Sequence, residues 1–198
     1  MAANKATKTY PFSCYDYSRY IEHSMKKDFF DVGYCFKSYL KGAILECPNC
    51  QFRVGQLYET GEMGVEISLA NSVKWYQKAS SNGHSDAQLK IANYILRKND
   101  PQKDDFVLAF NYALKSAISD NPRGAKYVSI MYQKGIGTKK NDSLSKWWDK
   151  VYEVFCSSQK ISKESLSFSI FENIGKKKPV SEEIPMRRIY TTSTLKAV

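Results

Sequence analysis

Histidine is almost missing from this chain: His23 and His84 are the only two in 198 residues. Catalytic or metal-binding sets built on imidazole therefore have little to draw on, and neither histidine has a Ser or Cys partner in a recognisable motif. No Walker-type glycine loop, no Gly-x-Gly-x-x-Gly after a strand and no His-Glu-x-x-His occurs. Long apolar runs are missing too. None approaches the roughly 18–20 residues that a membrane-spanning helix needs, and the first residues lack the apolar core of a secretory signal. Cysteine is scarce and odd in number, at Cys14, Cys35, Cys47, Cys50 and Cys156. An odd count without a secretory signal leads us to expect reduced thiols and a cytoplasmic protein.

What is present suits one folded domain with tails. Hydrophobic residues make up 42% and aromatic residues 14%, enough to fill a core. The net charge is +10, and much of the excess sits at the ends. Lys5 and Lys8 open the chain, and Lys176, Lys177, Lys178, Arg187, Arg188 and Lys196 oppose only Glu182 and Glu183 near its close. We expect residues 1–12 to be an N-terminal tail and residues 175–198, which are rich in Lys, Ser and Thr and contain two prolines, a disordered basic tail. Such tails either solubilise or attract nucleic acid, acidic partners or anionic surfaces.

The body repeats itself. Lys41, Lys78 and Lys115 are each 37 residues apart. Nine residues after each comes a small side chain (Cys50, Ala87, Gly124), then apolar Val54, Ile91 and Val128, then small Gly55, Ala92 and Ser129, then Tyr58, Ile95 and Tyr132. Positions 50, 54, 57 and 58 share a face at helical spacing. The spacing predicts a pair of helices per unit. The first spans about 50–60, 86–97 and 123–134, and the second about 69–81, 105–118 and 142–156, anchored by Trp75 and Tyr76 and by Trp147 and Trp148. Gly61, Gly64, Gly135 and Gly137 stand where first helices must stop, because glycine accepts the left-handed backbone. One such unit cannot bury its apolar face alone, so units stack.

These residues resemble the Sel1-like repeat, a relative of the tetratricopeptide repeat. The first full unit carries Cys50, Gln51, Val54, Gly55, Tyr58, Gly61, Gly64, Val65, Trp75, Tyr76, Lys78, Ala79 and Gly83. It has one extra residue between the glycines and lacks the family's Asp. The second unit carries Ala87, Gln88, Ile91, Ala92, Asp104, Ala109, Tyr112, Lys115 and Ala117, with Lys98-Asn99-Asp100-Pro101 in place of the paired glycines. The third carries Tyr132, Gly135, Gly137, Trp147, Trp148 and Lys150. Asp31, Cys35, Tyr39 and Lys41 match half of a weaker preceding unit. The resemblance implies an all-α fold, an α/α solenoid of three to four helix-pair repeats, with a Sel1-like domain over 13–174: a weak repeat 13–49, repeats 50–86, 87–123 and 124–156, and a cap 157–174 in which Leu166, Ile170 and Ile174 suit one helix face. It implies a non-catalytic adaptor or scaffold with a protein or peptide partner and no cofactor, either in a eukaryotic pathway or as a bacterial effector acting in a host cell.

Such arrays hold partners on their first-helix surface. Here that surface is expected to carry Arg53, Gln56, Lys90, Asn93, Arg97, Tyr127, Ile130 and Lys134, a basic groove for an acidic segment. Gly55, Tyr58, Trp75, Tyr76, Ala92, Tyr132, Trp147 and Trp148 are expected to be structural, with Trp75 and Trp148 buried between repeats. The sharpest local motif is Cys47-Pro48-Asn49-Cys50. A Cys-x-x-Cys pair can ligate zinc or do redox work, but zinc needs two more ligands, and Cys50 stands in a small-residue packing column. Two alternatives to the adaptor stay open: nucleic-acid binding through the basic tails, and zinc binding at Cys47 and Cys50. The oligomeric state is not legible.

Overall fold

The computed structural model describes residues 14–24, 32–160 and 171. Among these residues the long regular elements are all α-helices: α1 (Cys14–Ser24), α2 (Val32–Ile44), α3 (Pro48–Thr60), α4 (Leu69–Ser81), α5 (Ser85–Leu96), α6 (Lys103–Ile118), α7 (Pro122–Lys134) and α8 (Asp142–Ser158). The expected tails, most of the expected cap with Leu166, Ile170 and Ile174, and Asp31 lie outside the described residues. The helix pairs fall close to the segments that the 37-residue spacing predicts. The chain divides into two compact units, Met1–Ile91 and Ala92–Val198, with the boundary inside α5.

Local chemistry sets the helix ends. Pro48 and Pro122 open α3 and α7, where a missing N–H costs nothing. The Asn121 side chain accepts from the N–H groups of Arg123 (3.0 Å) and Gly124 (3.3 Å), and Asn141 accepts from Leu144 at 2.9 Å. Gly61 (φ 75°) and Gly135 (φ 67°) close α3 and α7 in the left-handed conformation, returning their N–H to Leu57 and Met131. The link that lacks paired glycines is built differently: Lys98 Nζ reaches Asp105 at 2.7 Å, and the Gln102 N–H donates to the same carboxylate at 3.0 Å.

In the first unit the core gathers Tyr39, Ala43, Cys50, Val54 and Leu57 from α2 and α3, with Tyr15, Phe36, Tyr58 and Trp75 packed around it. Gly55 lies directly under the Tyr76 ring; a Cβ there would stand 2.7 Å from Tyr76 Cδ1. In the second unit Phe110 meets Tyr132 edge-on at 5.2 Å, and Val128, Met131 and Trp148 are buried. The Ser129 and Ser145 hydroxyls pair at 3.2 Å between α7 and α8. Ala92 is fully buried and Trp147 half-buried, edge-on to Trp148.

One expectation needs correction. Trp148 is 3% exposed, but Trp75 is only half-buried. One side of Trp75 rests on the α2–α3 core, and the Lys78 ammonium lies 4.3 Å from the centroid of its ring. The aromatic that fills the corresponding interior of the first unit is Tyr76, 4% exposed, whose hydroxyl donates to Glu59.

Candidate partner-binding surfaces

The first-helix residues do not form a row of free cations. In the first unit Arg53 is held between Glu22 of α1 and Glu62, the latter at 2.9 Å, and its side chain is only 17% exposed. Lys90 pairs with Glu59 at 2.7 Å and lies 5.7 Å from the Tyr76 ring centroid. Gln56 is half-buried. In the second unit Tyr127 is buried rather than displayed: its hydroxyl donates to Asn93 Oδ1 at 2.6 Å, and Phe171 packs edge-on against it at 4.7 Å. Lys134 donates to the Phe171 carbonyl, Ile130 is half-buried, and Arg97 is exposed. The physical reason is angular. Positions 53, 90 and 127 precede the core column 54, 91 and 128 by one residue, or about 100° of helix. That places them at the margin of the packed face, within reach of neighbouring side chains.

A different surface of the first unit is open. A cleft of about 760 Å³ runs between the end of α2 and the length of α4, lined by Ala43, Ile44, Glu46, Gln51, Lys74, Trp75, Lys78 and Asn82 among others. Its frame is rigid. The Gln51 side chain, 2% exposed, donates to the Ala43 carbonyl at 3.1 Å and accepts from Asn82 at 2.9 Å, which satisfies a buried amide and ties α2, α3 and the end of α4 together. Its surface is mixed. Ile44 is 68% exposed, Trp75 offers its uncovered part, and Lys74 and Lys78 stand one helical turn apart with no carboxylate partner among the described residues. Glu46 is the one acidic lining residue.

The sequence reading missed this cleft. Lys78 was visible as part of the 37-residue lysine column, and Lys115 in the next unit likewise stands 5.8 Å from the Tyr112 ring, three residues before it. At Lys78 and Lys115, though not at Lys41, which has Ser38 three residues before it, the column carries an aromatic–cation pair on the second helix.

Cys47 and Cys50 are not joined by a disulfide; Cys50 is buried and Cys47 half-buried. Among the described residues no group of three or more His, Cys, Asp or Glu side chains is placed to hold a metal ion. His84 sits just before α5, stacked on Phe52 at 4.2 Å, and its Nδ1 accepts from the Ala87 N–H at 3.3 Å. Burial holds this imidazole below its ordinary range, with Asp86 acting weakly against it.

A backbone of helix pairs with glycine or asparagine at the turns defines a helical-repeat protein. The chain belongs to the Sel1-repeat family: the family model matches residues 48–84, 85–121 and 122–148. Its fold matches the crystal structure of a protective antigen of uropathogenic Escherichia coli with an SLR fold (25% identity, 71% of this chain and 30% of that one, TM-score 0.60). It also matches a Sel1 repeat protein from Oxalobacter formigenes (22% identity, 77% and 61%, TM-score 0.62). Similar curated proteins include chitin synthase regulatory factor 4 of Schizosaccharomyces pombe, 26% identical over 60% of this chain, and the chitin synthase regulator SKT5 of Saccharomyces cerevisiae, 29% identical over 61%. The chain spans 18% of the length of each of these two relatives. Both relatives are regulators of chitin synthase. Among the described residues no helix is long and apolar enough to cross a membrane.

Proposed function

We propose that this chain is an adaptor that regulates another protein by docking a segment of it, and that the α2–α4 cleft is the docking surface. The observation that carries this reading is the pairing of apolar surface, Ile44 and the open part of Trp75, with Lys74 and Lys78, which have no carboxylate partner among the described residues. A segment with a large apolar side chain flanked by carboxylates complements both features. The first-helix surface of the second unit, at Asn93, Arg97, Ile130 and Lys134, is the competing surface, while in the first unit Arg53 and Lys90 are already paired internally. The similarity to chitin synthase regulators supports a regulatory role and makes a chitin synthase the first partner to test.

The test is quantitative binding of the full-length chain to purified candidate segments, with nuclease present. Lys74→Glu/Lys78→Glu should weaken binding about tenfold or more, as charge reversal at a polar rim does, while Arg97→Glu/Lys134→Glu leaves it within about twofold. The reverse pattern would move the site to the first-helix surface. Association that disappears with nuclease and ignores both variants would instead favour nucleic-acid binding through the basic ends, which is steeply salt-dependent.

A further inference from the structure

The Cys47-Pro48-Asn49-Cys50 motif takes no part in the docking surface, yet its geometry is specific. α3 begins at Pro48, so Cys47 is its N-cap residue, extended at φ −67° and ψ 113°, and Cys50 lies in the first turn. Residues three apart across a first helical turn have Cα atoms about 5–5.5 Å apart, inside the range a disulfide spans. The two thiols meet: the Cys50 side chain hydrogen-bonds the Cys47 sulfur, with the first-turn backbone N–H groups of Asn49 and Cys50 nearby but short of a cap hydrogen bond. Those donors favour the thiolate, and the Cys50 hydrogen bond does most to hold the Cys47 thiol at about 6, against the partial burial and Asp16 that push it up. The exposures differ in a useful way. Cys47 is half-buried and Cys50 fully buried in the α2–α3 core, so a reagent reaches Cys47 first.

We propose that Cys47 and Cys50 are a reversible redox modification site, with Cys47 the attacking sulfur, Cys50 the resolving thiol and a hydroperoxide the oxidant. In the first step the Cys47 thiolate attacks the terminal peroxide oxygen. An S–O bond forms, the O–O bond breaks, and the departing oxygen leaves as water or alcohol after taking up a proton, so Cys47 becomes a sulfenic acid. In the second step the Cys50 sulfur attacks the Cys47 sulfur. The S–S bond forms, the S–O bond breaks, and hydroxide leaves with the Cys50 proton as water. Two thiols lose two electrons in total, and the peroxide gains them. A dithiol reverses the step by thiol–disulfide exchange.

Trypsin cleavage after Lys41 and Arg53 places both cysteines in one peptide, 42–53, and leaves Cys14, Cys35 and Cys156 in others. The full chain is treated with limiting hydrogen peroxide, the remaining thiols are alkylated, and the peptides are weighed. The expected result is peptide 42–53 lighter by two hydrogens and closed to alkylation, restored by dithiothreitol, and formed about tenfold faster than any product at Cys35 or Cys156. Cys50→Ala, which installs the residue found at the equivalent position 87 and so preserves packing, should leave Cys47 as a sulfenic acid that dimedone traps. Oxidation of Cys47 no faster than of Cys156, or a Cys47–Cys14 cross-link in place of the Cys47–Cys50 bond, would overturn the proposal. So would a Cys50→Ala variant that circular dichroism shows folded and that gives no dimedone adduct even with excess peroxide at a pH where an ordinary thiol ionises.

Discussion

At the scale of single residues, two glycines show two kinds of demand. A Cβ at position 55 would press the Tyr76 ring at 2.7 Å, and a methyl group forced into a packed site typically costs about 1–3 kcal/mol. Position 137 combines two penalties. Its φ is +67°, and a Cβ would stand 2.0 Å from the Phe106 carbonyl oxygen, a backbone atom that cannot swing away. Gly83, at φ +86° with nothing within 4 Å, isolates the backbone strain alone, about 1–2 kcal/mol for an L-residue. Urea unfolding of the three alanine variants should rank Gly137→Ala as the most damaging and Gly83→Ala as mild; equal losses at 83 and 137 would mean the Phe106 contact yields easily. Gly55 was legible as a small-residue position because Ala92 and Ser129 repeat it. The Gly137 contact was not, since sequence spacing says nothing about which carbonyl will face a turn.

At the scale of helices, α5 shows how a terminus becomes sensitive to acid. The neutral His84 ring accepts the Ala87 N–H, and burial keeps its folded-state pKa below the unfolded value of 6.5. The unfolded chain therefore takes up the proton first as the solution is acidified. The stability this cap contributes is complete above about pH 6.5 and is lost as the pH falls toward the lower folded value. The melting temperature of the wild type should drop between pH 7 and about 5, and His84→Asn, which keeps a capping acceptor without a titrating group, should flatten that part of the profile. An unchanged slope would show that His84 does not govern it. Helix positions themselves were readable from sequence, because apolar columns, glycine stops and asparagine starts all keep one register. The candidate site was less readable. Whether Arg53 is available depends on Glu22, thirty-one residues earlier on another helix, and no local pattern announces that pairing.

At the scale of the whole molecule, Trp75 and Trp148 are not equivalent, because Trp148 stands in the column of Tyr76 and Trp75 in that of Trp147. Trp148 is buried in the second unit, and its replacement by Ala should cost about 3–5 kcal/mol, as truncation of a core aromatic does. Trp75 keeps an open side at the cleft, and Trp75→Ala should cost less than about 2 kcal/mol, since only part of its area leaves water. A small domain has only about 5–15 kcal/mol in total, so calorimetry should find Trp148→Ala partly unfolded near the temperature where Trp75→Ala still melts cooperatively. Comparable melting points would contradict the difference in burial. The net charge of +10 also reads differently once contacts are known. Arg53, Lys90, Lys98 and Lys126 each meet a carboxylate within the fold, so the positive field that a distant partner senses is weaker along these helices than composition suggests.

The Gly55–Tyr76 contact has a consequence for how such a chain can change over generations. Periodic sequences invite the idea of exchangeable modules that can be duplicated, deleted or replaced by an averaged unit. Yet position 55 admits only hydrogen because a tyrosine ring covers it, while the same position in the third repeat carries a hydroxyl that pairs with Ser145. A copy of the third repeat's first helix pasted over α3 alone would bring a serine under that ring. Each first helix is fitted to the second helix of its own repeat, so single helices are not interchangeable between repeats although their outlines remain the same.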